Sequence, residues 1–299
     1  MNEMNYKQVR LVLWLVLLAN VAVSLLKLLF GLAIGSASLQ ADGFHSLSDG
    51  ASNVVGLVGI FLASRPVDAD HPYGHSKFET LAGLAIAAML AILGVEIVVG
   101  AIGRFAAPVV PQVTVASLAA LLGTLAVNIA VTVVEGRQGR KLNSQILISD
   151  AAHTRSDIFV SLGVLATLIG VRLGLPAIID PLASLVVAGF IFFAAWEIFR
   201  STSKVLLDRA AVDSDTVLDA VRAFPQVRGV HRLRSRAAGA DLFMDMHVLL
   251  DPDMSLEESH HLMDTIEDAI AVRLGRPAQI TIHSEPYYEP DDPRRQEDD

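Results

Sequence analysis

Six long apolar runs, at 11–34, 39–63, 81–102, 113–134, 149–171 and 177–199, fill most of the first two thirds of this 299-residue chain. Each is long enough to cross a bilayer, for which about 20 residues suffice. A backbone in hydrocarbon must satisfy its own N–H and C=O groups, and continuous runs of this length do so as helices. Charged residues make up only 18% of the chain, against about 25% in soluble domains. The first run is too long for the core of a cleavable leader, and no small-residue cleavage site follows it. The chain is therefore expected to sit in a lipid bilayer.

Two of the runs carry the same polar pattern. Asp42-Gly-Phe-His45-Ser-Leu-Ser-Asp49 and Asp150-Ala-Ala-His153-Thr-Arg-Ser-Asp157 both read D-x-x-H-x-x-x-D. A His and an Asp four apart share one helix face, with Cβ atoms about 5–6 Å apart. An ionisable group at the centre of a membrane helix costs at least ~2.5–3.5 kcal/mol on insertion scales, so it needs a partner or a task. Facing each other, the two pairs offer two imidazoles and two carboxylates, enough for a tetrahedral shell around a divalent metal. The bland alternative is a set of polar residues bonded to one another in helix packing; its occurrence in duplicate favours the metal. Asp42 and Asp150, three residues before each His, read as groups that orient the imidazoles or as residues near helix ends. The chain has no cysteine, so any metal must be held by His, Asp and Glu.

Loop charges set the orientation. Ten Lys and Arg (7, 10, 65, 77, 137, 140, 141, 200, 204 and 209) fall on one side of the six spans and two (104 and 172) on the other. By the positive-inside rule both termini are cytoplasmic. The loop between the second and third runs, on that side, reads Asp68-Ala-Asp-His71-Pro-Tyr-Gly-His75. Pro72 and Gly74 make a turn that brings His71 and His75 together, with Asp68 at hand. Two readings stay open there: a short metal-binding tract, or a solvated loop rich in His.

Beyond the last run the pattern changes. Residues 214–224 have helical spacing, 229–236 and 241–250 read as strands, Ser255 and Glu258 form a capping box for a helix to Leu274 before Gly275, and 278–284 is a last strand. The order α-β-β-α-β suits a small sheet covered by helices. His247 lies opposite the stripe Leu242, Met244, Met246, Val248 and Leu250, and His283 alternates against Ile280 and Ile282. His231, His260 and Glu285 lie within reach, as a metal set or as ordinary surface residues. The segments expected are a membrane domain at 1–203, a cytoplasmic α+β domain at 204–288 and an acidic, disordered tail at 289–299. Of 32 Asp and Glu, 20 lie from Asp208 onward, which leaves no basic footprint for nucleic acid.

Taken together, these features resemble the cation diffusion facilitators, a family of divalent-metal exporters driven by proton antiport. The likeness runs from about Asn20 to Pro286 and rests on the two octets, the loop R-P-V-D-A-D-H-P-Y-G-H-S-K-F-E, the Asp180-Pro181 start of the last run, and the α-β-β-α-β tail. It implies a homodimer in the inner membrane with a metallochaperone-like cytoplasmic domain. It implies a transport site at His45, Asp49, His153 and Asp157, a loop site at Asp68, His71 and His75, and cytoplasmic sites at His231, His247, His260, His283 and Glu285. Lys77 and Asp208 match a charge interlock near the junction of the two domains. Some members have Asp in place of His45, and His there resembles the zinc-preferring ones; Glu285 stands where Asp is common. The expected cargo is Zn²⁺, with Fe²⁺, Mn²⁺, Co²⁺ and Cd²⁺ as alternatives and protons as the counter-ion. A metalloenzyme is disfavoured: no H-E-x-x-H occurs and no general base stands beside the ligands. A membrane metal sensor or scaffold is the rival reading.

Overall fold

The computed structural model describes residues 3–33, 37–106, 115–176, 178–239, 241–276 and 278–289. Within these ranges the side chains of residues 3–5, 31, 33, 37–39, 41–43, 45, 48, 49, 106, 116, 117, 168, 171 and 172 lie outside the description. The acidic segment expected to be disordered lies outside it from residue 290 on. The chain divides into two compact units, Met1–Ser203 and Lys204–Asp299.

The first unit is built from the helices α1 (Glu3–Ala33), α2 (Ala37–Ala63), α3 (Lys77–Ala106), α4 (Val115–Leu142), α5 (Gln145–Arg172) and α6 (Ile179–Leu206). α1, α3, α4 and α6 are each long and apolar enough to cross a membrane. α2 and α5 are of similar length, 27 and 28 residues. Among the described residues of α2, Gly50–Ala63 forms an apolar stretch. The helices outrun the apolar segments at the basic side. α4 continues past Val134 through Arg137, Arg140 and Lys141, and α6 continues past Phe199 to Leu206. A hydrophobic run marks the thickness of the hydrocarbon, not the length of the helix.

Large apolar side chains cover the outside: Leu15, Leu18 and Leu29 on α1, Ile92 and Val99 on α3, and Val186 and Phe193 on α6 are each more than half exposed. Such a surface has its lowest energy against lipid. Inside, small residues let the backbones approach. A Cβ at Gly59 on α2 would overlap the Cβ of Ala82 on α3 and lie 3.1 Å from Ile146 on α5. α2 packs against α1, α3 and α5. Glu79, fully buried in the first turn of α3, accepts a hydrogen bond from the Ser144 hydroxyl (2.5 Å) and one from the Ile146 amide (3.4 Å). It thereby ties α3 to the turn between α4 and α5.

The second unit has α7 (Ser214–Arg222), β1 (Gly229–Ala238), β2 (Asp241–Leu250), α8 (Leu256–Leu274) and β3 (Gln279–Pro286). The sheet order is β1-β2-β3, with β1 antiparallel and β3 parallel to β2. This is the α-β-β-α-β order expected from the sequence. Asp213 caps α7, and the Ser255/Glu258 capping box opens α8; Gly275, at φ 64°, closes it in the left-handed region that glycine adopts without a Cβ penalty. Leu242, Met244, Met246, Val248 and Leu250 point from β2 into a core shared with Val217 and Val221 of α7 and Leu262, Met263, Ile266 and Ile270 of α8. The period of two in β2 leaves the opposite face of the sheet for polar side chains.

The close contact at Gly59 gives a test. Gly59→Val should lower the melting temperature of the solubilised protein, by the equivalent of about 1–3 kcal/mol for an overpacked site. Gly103→Ala on α3, where nothing lies within 4 Å, should leave it unchanged or slightly raised.

Candidate metal sites

In the membrane unit the two octets fall on α2 and α5, which are packed neighbours. His153 is buried, at 5% exposure, and Asp157 is half-buried one turn further along α5. The carbonyl of His153 accepts a hydrogen bond from Ser156 Oγ (2.6 Å). His45 and Asp49 stand on α2, but their side chains, like that of Asp42, lie outside the described residues. Asp150 is fully buried and accepts a hydrogen bond from the Asn53 side-chain amide of α2. The Asn53 carbonyl in turn accepts from Asn20 Nδ2 of α1 (2.9 Å). Asn53 follows Asp49 by four residues, and Asp150 precedes His153 by three. The bond between them therefore joins the two octet-bearing helices one turn away from the His/Asp positions.

The loop 64–76 brings its three candidates together. His71 Nδ1 lies 3.3 Å from Asp68 Oδ1, and His75 Nε2 lies 3.3 Å from Asp68 Oδ2. The two imidazole rings are 4.3 Å apart. Local backbone builds this. Asp68 Oδ1 accepts the amides of Asp70 (3.1 Å) and His71 (2.7 Å), an Asx turn, and the Gly74 amide bonds the His71 carbonyl (2.9 Å), with Gly74 at φ 85°. His71 and Asp68 are exposed, while His75 is buried against the Phe78 ring. The His71 amide holds the Asp68 carboxyl below its usual range, so it stays ionised further into acid.

In the second unit three histidines form a line across the sheet. His231 pairs with His247 across β1 and β2, and His247 with His283 across β2 and β3. Glu285, two residues after His283 and on the same face, gathers them. His231 Nε2 is 2.8 Å from Glu285 Oε2, His247 Nδ1 is 2.6 Å from Oε1, and His283 Nε2 is 3.7 Å from Oε1. A bulge between His231 and Arg234, with Arg232 at φ 51°, bends β1 just past the first histidine. Ligand atoms of Asp68, His71 and His75, and those of His231, His247 and Glu285, each converge within 4.8 Å. His260 is apart from this group: it is exposed on α8, 3.8 Å from Asp264 and stacked near His261.

Lys77 is the first residue of α3. Asp208 ends α6 in the left-handed region, φ 48°, with the Asp208 amide directed at the Val205 carbonyl and the Arg209 amide at that of Lys204. This is a Schellman cap with Asp where Gly is usual. Within its own unit Asp208 pairs with Arg236 at 3.5 Å. Sequence reasoning missed the Asn20–Asn53–Asp150 line and the buried Glu135 of α4. The available signal was positional: Asn53 lies one turn past Asp49 on its helix, and Glu135 immediately follows the fourth apolar run.

With this geometry in view, comparison with known proteins is informative. The family profile for the cation efflux transmembrane domain matches residues 13–207, and that for the cation efflux protein cytoplasmic domain matches 210–287. The manganese efflux system protein MneP of Bacillus subtilis is 32% identical over 290 residues, covering 94% of this chain and 97% of that protein. Metal tolerance protein C1 of Arabidopsis thaliana is 31% identical over 289 residues; the chain spans 61% of that protein's length. Among solved structures, the metal-bound C-terminal domain of the CzcD transporter from Thermotoga maritima is 32% identical, covering 24% of this chain and 84% of that domain, with a TM-score of 0.23.

The sheet cluster makes a pH prediction. Hydrogen bonds from His247 first, then His231, lower the Glu285 carboxyl below its ordinary value of 4.5. Their stabilisation is therefore complete above about pH 4.5 and is lost as pH falls through the lowered value. In Glu285→Gln that acid-dependent loss should disappear. Chemical denaturation of the full chain from about pH 7 to about pH 3, followed in the second unit, checks it.

Proposed function

The chain belongs to the cation diffusion facilitator family, whose members carry divalent metals out of the cytoplasm, and on that premise we propose that it exports Zn²⁺ in exchange for protons through the octets of α2 and α5. The observation that supports this most is the buried His153 with Asp157 one turn on, on a helix packed beside the one that carries the matching octet. Two imidazoles and two carboxylates suit tetrahedral Zn²⁺ and disfavour Mg²⁺ or Ca²⁺, which take six or more oxygens. In this reading all six helices span the bilayer, both termini are cytoplasmic, and the protein works as a homodimer in the cell membrane.

Coupling follows from ligand chemistry. Imidazole and carboxylate bind metal only when deprotonated, so protons and metal compete for one site. Open to the cytoplasm, the site gives up protons and takes metal; open to a more acidic exterior, it takes protons and releases metal. Rocking of the helices around the fixed site supplies alternating access. The loop cluster of Asp68, His71 and His75 and the sheet cluster of His231, His247, His283 and Glu285 serve as water-facing sites that fill as cytoplasmic metal rises. His260 would join the sheet site as a further ligand. Metal held at the sheet shifts the protein toward its transporting state by differential affinity.

Manganese export is the second reading, favoured by the likeness to MneP over nearly the whole of both chains. The two cargoes are separated by flux into proteoliposomes loaded with each metal in competition. Zn²⁺ should move fastest, and Asp157→Ala should abolish flux, at least about a hundredfold for a lost ligand in a buried site. His45→Asp should shift the ranking toward Mn²⁺, because a carboxylate-rich shell suits a harder ion. Preference of the unaltered protein for Mn²⁺ would reverse the assignment. Binding without any flux would turn the reading to a sensor.

A further inference from the structure

Glu135 has no place in the ligand sets above, yet it is fully buried in α4. It lies against Asp150 and Thr154 of α5. Both of its carboxylate oxygens and Oδ1 of Asp150 are buried without a hydrogen-bond donor. Thr154 Oγ1 donates to the backbone carbonyl of Asp150 (3.2 Å). The other carboxylate oxygen of Asp150 is taken by Asn53. α4 packs against α5 and α1, and among the described residues Asp150 is the one ionisable group that acts on Glu135.

Two ionised carboxylates side by side and away from water repel each other. Each buried oxygen left without a donor adds the cost of its lost hydration. One proton removes both penalties, since a protonated carboxyl donates its O–H to the neighbouring carboxylate. We propose that Glu135 and Asp150 share a single proton, and that the protonated pair positions the two octet-bearing helices. It closes a hydrogen-bonded line, Glu135–Asp150–Asn53–Asn20, across α4, α5, α2 and α1. Asp150 and Asn53 stand one turn from the His/Asp positions of their helices, so the line fixes the spacing on which a shared metal shell depends. Loss of the proton puts two negative charges between α4 and α5 and releases that spacing. The consequence for flux rests on the transport reading; the shared proton does not.

Infrared spectra of the full-length, solubilised, metal-free protein at neutral pH test the proton directly. A carboxylic-acid C=O band should be present and should vanish in Glu135→Gln. In Asp150→Asn, an independent variant, it should shift, because the acid loses its charged acceptor. In proteoliposomes Glu135→Gln, whose amide still donates to Asp150, should match the unaltered protein near neutral pH and keep its flux at alkaline pH, where the unaltered protein falls off. Glu135→Ala, which removes the donor, should lose about tenfold or more, as expected for an unsatisfied buried carboxylate. The proposal is overturned if the acid band survives Glu135→Gln, if it is unmoved by Asp150→Asn, or if Glu135→Gln and the unaltered protein lose flux at the same alkaline pH. If none of these proteins carries zinc, the transport reading falls, and the infrared band still decides the proton.

Discussion

The Asn53 side-chain amide hydrogen-bonded to the Asp150 carboxylate joins α2 to α5, and much of the membrane unit follows from it. Neither group can turn to water, since both are fully buried. In hydrocarbon an unmatched polar group costs several kcal/mol, so each constrains the other's helix. The link extends to α1 through Asn20. Around it, Gly59 and Gly56 remove the side chains that would hold α2 away from α3 and from Ile146 of α5. Polar partnership and small residues do together what hydrophobicity cannot do inside a bilayer, where lipid tails are as apolar as leucine.

The two water-facing clusters solve a different problem. There the carboxylates must be kept from drifting into solvent. Asp68 is held by the backbone amides of its own turn, and Glu285 by two histidines from neighbouring strands. In each case a carboxylate is fixed at the centre and imidazoles converge on it. The loop does this with local turn chemistry over eight residues. The sheet does it with strand register, bringing residues 231, 247 and 283 side by side from distant parts of the chain.

That difference explains how much could be read from the sequence. The helices, the α-β-β-α-β order, the capping box at Ser255 and the polar face of β2 all follow from local period and cap chemistry, and each was legible. The ends of α4 and α6 were not, because the apolar run stops at Val134 and Phe199 while the backbone bonds continue through charged residues. The partners of Asn20, Glu79 and Asp208 were invisible, since each depends on a contact at long separation or on a left-handed cap that sequence spacing does not encode. His260 stands on α8, 3.8 Å from Asp264, where strand period says nothing of its partners.

The sheet cluster also bears on how metal and protons would compete outside the membrane. Glu285 faces His231 Nε2 through one oxygen and His247 Nδ1 through the other. A carboxylate has only acceptors, so each contact is a hydrogen bond only while that imidazole nitrogen carries hydrogen. A divalent ion entering between these atoms needs the same nitrogens as bare lone pairs. Occupation of the site therefore displaces each hydrogen to the other ring nitrogen or to solvent. The hydrogen bonds that pre-arrange the cluster are the ones metal must replace, and the ion's charge then takes over the role of holding Glu285 between the strands.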